Sequence, residues 1–128
     1  MVVNLNQVTL PVLDVEVAVS FYQGIGLNLI VHSPHYARFE CPQGDATFSV
    51  HIADTAPATG CVVYFECEDL DERVEQLRGK GFVFSRLPTD EPWLWREARL
   101  QDPSGHEICL FRAGGNRRNP PWRVGGQR

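Results

Sequence analysis

His51, Tyr64 and Glu66 are the side chains in this sequence whose chemistry best suits proton transfer. An imidazole, a phenol and a carboxylate that converge can serve acid–base chemistry on a bound molecule. Taken singly they read otherwise. His51 is then a polar residue in a cleft wall, Tyr64 a core aromatic with its hydroxyl satisfied, and Glu66 an exposed carboxylate at a strand end. A second chemical signal is the stretch Glu-Pro-Trp-Leu-Trp-Arg-Glu-Ala-Arg at 91–99. Trp93, Trp95, Glu97 and Arg99 share one parity there. Two tryptophans beside Arg96 and Arg99 can wall a site for a planar or cationic ligand. The same residue types also cover cores and dimer interfaces. Other familiar chemistry is not encoded. No GxGxxG, Walker A or GxSxG pattern occurs. His32 and His35 flank Ser33-Pro34, too close to a turn to share a metal. Cys41, Cys61, Cys67 and Cys109 show no CxxC or zinc-finger spacing and read as reduced thiols.

The elements that must position these residues come in two copies. Residues 8–27 and 63–82 match at a constant offset of 55. Asp14 falls on Asp69, Val19 on Val74, Gly24 on Gly79 and Gly26 on Gly81. In each copy a strand is followed by an Asp-capped helix and three further strands. In the first copy the strand is 2–13, the helix runs from Asp14 to about Gln23, and the later strands are 27–32, 36–41 and 46–52. In the second copy the strand is 61–67 and the helix runs from Asp69 through Arg78. Strands follow at 82–87, 93–101 and 106–112, with the loop Pro-Thr-Asp-Glu-Pro before the second of these. The predicted fold is α+β, two βαβββ modules curling a mixed sheet around a cleft. The modules are 1–53 and 61–112, with a small-residue linker at 54–60, forming one domain over 1–112. An irregular Arg-rich tail follows at 113–128, in which Trp122 is expected to pack. Alternation turns Gln7 and Thr9, then Val62, Tyr64 and Glu66, toward the cleft on the first strands. On the last strands it turns Ser49 and His51, then Glu107, Cys109 and Phe111.

Charge narrows the partners. Formal net charge is −4, yet Arg112, Arg117, Arg118, Arg123 and Arg128 give the tail +5 and leave −9 on residues 1–111. An acidic body does not suit a phosphate backbone, so nucleic acid is not an expected partner. The tail is expected to fold onto an acidic body, its own or a partner's, rather than to bind anions. The start Met-Val-Val-Asn has no basic segment and no long apolar run follows it. Neither a signal peptide nor a membrane span is expected, and the cytoplasm is the expected location.

Several runs resemble the vicinal-oxygen-chelate superfamily, the group of glyoxalases, extradiol dioxygenases and bleomycin-resistance proteins. They are Val12-Leu13-Asp14 with Phe21-Tyr22 and Gly26-Leu27, the run Phe65-Glu66-Cys67-Glu68-Asp69-Leu70, and the turn Asp102-Pro103-Ser104-Gly105 before His106. The resemblance spans residues 5–112. It implies a small-molecule site and a homodimer. In metal-dependent members four residues hold a divalent ion, and the matching positions here are Gln7, Ser49, Val62 and Cys109, where the family usually has His or Gln, Glu, His and Glu. Two functions follow from the resemblance. One is a small-molecule-binding protein of the bleomycin-resistance type with a degenerate metal site, its ligand met by Gln7, Thr9, Ser49, His51, Tyr64, Trp93, Trp95, Arg99, Cys109 and Phe111. The other is a metal-dependent lyase or dioxygenase in which Gln7, His51 and Cys109 hold a divalent ion such as Zn²⁺. The residues favour binding, because Val62 cannot ligate.

Overall fold

The computed structural model describes residues 2–56 and 60–125. The fold is α+β and contains two four-stranded mixed sheets, each laid out as βαβββ. The chain divides into two compact units, Met1–Thr59 with Asp102–His106, and Gly60–Gln101 with Glu107–Arg128.

In the first unit, β1 (Gln7–Val12) leads into α1 (Val15–Ile25), and β2 (Asn28–Ser33), β3 (Tyr36–Glu40) and β4 (Thr47–Ile52) follow. The sheet order is β1-β4-β3-β2, with β1 and β4 parallel and the other pairs antiparallel. Asp14 starts α1 because its carboxylate accepts the Val17 N–H at 3.0 Å. The helix passes Gly24 and ends at Gly26, two residues later than the sequence predicts. Ile25 is buried, and Gly26 supplies the left-handed closing turn at φ 119°. One face of α1 buries Val15, Ala18, Val19 and Tyr22 against Phe39, Phe48 and Val50 of the sheet. The Tyr22 ring sits 4.6 Å from that of Phe48, centre to centre, and 5.8 Å from that of Phe39.

Asp102–His106 follows the seventh strand in sequence but is folded as part of this first unit. The fully buried Tyr22 hydroxyl donates to Asp102 at 2.6 Å. The Leu13 N–H donates to the Ser104 hydroxyl at 3.0 Å. His106 Nε2 donates to the Pro11 carbonyl at 2.6 Å. Burial, reinforced by the Asp102 charge, holds the Tyr22 phenol protonated far above its ordinary range.

The second unit repeats the plan with β5 (Val62–Glu66), α2 (Leu70–Gly79), β6 (Phe84–Asp90), β7 (Arg96–Gln101) and β8 (Glu107–Arg112), in the order β5-β8-β7-β6. Leu70, Val74 and Leu77 form the buried stripe of α2. Three details depart from the sequence reading. Asp69 precedes α2 but makes no side-chain cap bond; its carboxylate accepts from the Cys67 thiol at 3.1 Å instead. Pro88, Thr89 and Asp90 lie within β6 rather than in a loop, which an edge strand with a register shift at that point tolerates. The seventh strand starts at Arg96, not at residue 93. The preceding turn is closed by Glu91 N–H to the Trp95 carbonyl at 2.8 Å, and Leu94 adopts a left-handed φ of 69°.

The tail opens with a short 3-10 turn at Gly114–Arg117, so it is not wholly irregular. Trp122 is 57% exposed rather than packed. Arg117 and Arg118 are exposed, and among the described residues no carboxylate pairs with them. Part of the linker, 57–59, and the tail's Arg128 lie outside the described residues. Among those described, no helix is long and apolar enough to cross a membrane.

The unequal caps predict unequal mutants. Asp14→Ala should cost about 1 kcal/mol of stability, read from the urea midpoint. Asp69→Ala should leave that midpoint unchanged. Equal losses at the two positions would sink this account of the helix starts.

Candidate functional site

One face of each sheet packs on its helix; the other carries the candidate site residues. On the first unit's outer face, strand pairing sets Gln7 beside Thr47, Thr9 beside Ser49 and Pro11 beside His51. The next strand adds Tyr36 opposite His51 and Arg38 opposite Ser49. These side chains form a connected polar patch. Thr9 and Ser49 share a hydrogen bond of 2.5 Å, and the Thr47 hydroxyl donates to Gln7 Oε1 at 2.7 Å. Arg38 Nε donates to the Tyr36 hydroxyl at 2.9 Å, its guanidinium carbon 5.4 Å from the Tyr36 ring centre. Hydrogen bonding to Ser49, and secondarily to Arg38 and Gln7, lowers the Tyr36 phenol against a smaller opposing effect of burial. Ser49 is fully buried, while Gln7, Thr9 and His51 are exposed. His51 Nδ1 donates to the Ile52 carbonyl at 2.8 Å, leaving Nε2 free to face outward.

The second unit's outer face is aromatic. Trp95 stacks on Phe111 with ring centres 4.5 Å apart and planes 18° off parallel. Tyr64 meets both rings edge-on at 5.8 Å. Beside them Glu97 is 2% exposed, accepting from Trp93 Nε1 at 2.7 Å and from Arg99 Nη2 at 3.1 Å. Arg99 also reaches Glu107 at 3.5 Å and stands 5.7 Å from the Tyr64 ring centre. Burial disfavours the Arg99 cation, but Glu97, with Cys109 and Tyr64 adding, raises the arginine's hold on its proton. Cys109 is buried with Phe111, Val62 and Trp95 around it, and burial, with the Glu97 charge adding, pushes its thiol up to about 12. Glu66 is exposed, opposite Phe111 in register.

Gln7, Thr9 and Ser49 are thus brought together in the first unit, with His51 at the rim, 6.4 Å ring to ring from Tyr36. In the second unit Tyr64, Trp95, Arg99, Cys109 and Phe111 converge, and Trp93 joins through its indole N–H. Sequence reasoning left out Tyr36 and Arg38, although the alternation applied to β1 and β4 names both when applied to β3.

Strand register makes the two faces equivalent position by position. Arg38 stands opposite Ser49 as Arg99 stands opposite Cys109. Thr47 pairs with Gln7 as Glu107 pairs with Val62. These correspondences bear on a metal. The four implied ligand positions offer an amide oxygen already engaged by Thr47, a hydroxyl shared with Thr9, a hydrocarbon, and a thiol that stays protonated at neutral pH. An arginine also lies across from each last-strand position. Divalent ions take carboxylates, imidazoles or thiolates, so this donor set does not fit one. Gln7 and His51 are set four residues apart along the paired strands, about 13 Å. Among the described residues no three His, Cys, Asp or Glu side chains are grouped to hold a metal.

A family model described as the Glyoxalase/Bleomycin resistance protein/Dioxygenase superfamily matches residues 4–110. Solved structures agree in fold. A glyoxalase/bleomycin resistance protein/dioxygenase from Nocardioides is 23% identical, with 98% of this chain and 91% of that one covered at a TM-score of 0.77. TioX from Micromonospora sp. ML1 is 20% identical, covering 87% and 99% at 0.70. Lactoylglutathione lyase from Agrobacterium tumefaciens is 17% identical, covering 85% and 92% at 0.71. No curated protein shows a significant match.

Proposed function

Because the chain belongs to the glyoxalase/bleomycin resistance protein/dioxygenase superfamily, we propose that it keeps the superfamily's small-molecule site and uses it for binding, without a metal ion. The observation that carries this reading is the aromatic face of the second unit. Trp95 stacks on the buried Phe111 ring, Tyr64 stands edge-on to both, and Tyr64 is 45% exposed and available to a ligand. Behind the rings a buried Glu97–Arg99 pair fixes the wall. A preformed aromatic surface with a few convergent polar groups is the usual build of a small-molecule site. Planar organic molecules suit it best, since offset stacking adds about 0.5–1.5 kcal/mol per ring pair beyond area burial.

The enzymatic reading draws on Gln7, His51 and Cys109. Its donors are an amide oxygen already bonded to Thr47, an imidazole with Nδ1 on a backbone carbonyl, and a thiol held protonated. That chemistry supports binding over metal-assisted catalysis.

Metal-free protein titrated calorimetrically with Zn²⁺, Mn²⁺ and Ni²⁺ should show no stoichiometric binding. A screen of planar aromatic compounds read by tryptophan fluorescence should yield saturable quenching, weakened about tenfold in Trp95→Ala. Stoichiometric metal binding lost in both Gln7→Ala and Cys109→Ala would overturn the proposal, as would a screen in which no compound perturbs the fluorescence.

A further inference from the structure

The two arginines at equivalent strand positions differ in one respect. Arg99 is satisfied, its guanidinium shared between Glu97 at 3.1 Å and Glu107 at 3.5 Å. In the first unit the residues at those two positions are Tyr36 and Thr47. Arg38 therefore has a phenol where Arg99 has a buried carboxylate, and a threonine where Arg99 has its second one. Arg38 is half-buried, and among the described residues no carboxylate lies within ion-pair distance of it. Glu40, two residues along the same face, is exposed and not in contact. A partly desolvated guanidinium without a counter-charge is costly to the folded chain and recovers that cost when an anion arrives.

The surroundings add donors. With Nε given to the Tyr36 oxygen, both terminal nitrogens of Arg38 remain as a fork. The Gln7 carbonyl is taken by Thr47, and its NH₂ has two protons, one for the Tyr36 oxygen and one for a ligand. The fully buried Ser49 hydroxyl is bonded to Thr9 and to the Tyr36 oxygen, so it fixes Tyr36 in place beside Arg38. A single fixed cation beside a neutral amide donor matches a single negative charge, and its planar fork matches a carboxylate. We propose that the outer face of the first unit is a carboxylate-binding subsite, in which Arg38, held by Tyr36, grips the acid group of a small organic acid while the Gln7 amide adds a further hydrogen bond. This names the ligand class for the binding role and rests on that reading.

The test uses the whole chain, labelled with ¹⁵N, and acetate as the probe. Acetate should produce saturable shifts of the Arg38 side-chain Nε–H and of the Thr9 and Ser49 amides, while chloride at the same ionic strength should not. Arg38→Met should abolish the shifts. Arg38→Lys, which keeps the charge and loses the fork, should weaken acetate about tenfold and covers the case in which the methionine variant fails to fold. Shifts that are absent, that chloride reproduces, or that survive in Arg38→Met overturn the subsite. Inorganic phosphate binding more tightly than acetate overturns the single-charge assignment. If aromatic compounds still quench tryptophan while acetate gives nothing, the subsite falls and the binding function stands. If acetate binds but metal binds stoichiometrically too, the reverse holds.

Discussion

Asp102→Ala should destabilise the protein by about 3–5 kcal/mol, a large part of the margin a domain of this size holds. The side chain is 4% exposed and accepts three hydrogen bonds. Oδ2 takes the Tyr22 hydroxyl at 2.6 Å; Oδ1 takes the backbone N–H of Ser104 at 2.9 Å and of His106 at 2.8 Å. Alanine removes this acceptor from a fully buried phenol and two turn amides, at about 1–3 kcal/mol for each buried group. Tyr22→Phe should cost less, about 1.5–3 kcal/mol, because the carboxylate keeps its two amide donors. The double variant should fall short of the sum, since both changes delete one shared bond. Chemical denaturation of the four proteins measures this directly, and a loss under about 1 kcal/mol in Asp102→Ala would refute the role given to the turn. The same pair sets an alkaline signature. The native phenol stays protonated well above its ordinary range, so stability is fully present below about pH 10 and declines above it as the unfolded phenol ionises. Tyr22→Phe should remove that share of the decline.

Arg99→Met should cost about 3–5 kcal/mol, because it strands the Glu97 carboxylate, 3% exposed on its side chain, with the neutral Trp93 indole and Cys109 thiol beside it and its arginine counter-charge gone. The double change Arg99→Met with Glu97→Leu should recover most of the loss, since an apolar pair of similar volume avoids burying either charge. If the double variant is as unstable as the single one, the defect lies in packing against Tyr64 rather than in the orphaned charge. Arg38 provides the contrast, for its methionine variant strands no carboxylate and should change stability far less.

Much of this architecture is legible in the residues. The 55-residue offset, the Asp14 cap and the alternation in β1, β4, β5 and β8 fix both modules and most of the residues on their outer faces. What escapes is where local geometry breaks a periodic rule. Alternation carried through 93–99 assumes an unbroken strand, but the left-handed turn at Leu94 interrupts it. Trp95 then reaches the face as a stacked ring, and Trp93 only through its indole N–H. Asp69 has the right type and place for a cap, yet the Cys67 thiol beside it takes the carboxylate. Arg38 and Arg99 are hidden from the repeat for a related reason. They are 61 positions apart rather than 55, because the hairpin of β6 and β7 is longer in its strands and in its turn than that of β2 and β3. Equivalence in space survives there although equivalence in spacing does not.

The turn Asp102–His106 also sets an order of assembly. The strands and helix of the first unit leave the ribosome early, but the residues that seat Tyr22, Leu13 and Pro11 are translated only after β7. The N-terminal half is therefore made first and finished late, and until then the buried Tyr22 hydroxyl awaits its Asp102 carboxylate. A duplicated chain of this kind is no pair of autonomous copies in tandem: the later copy carries a piece of the earlier one.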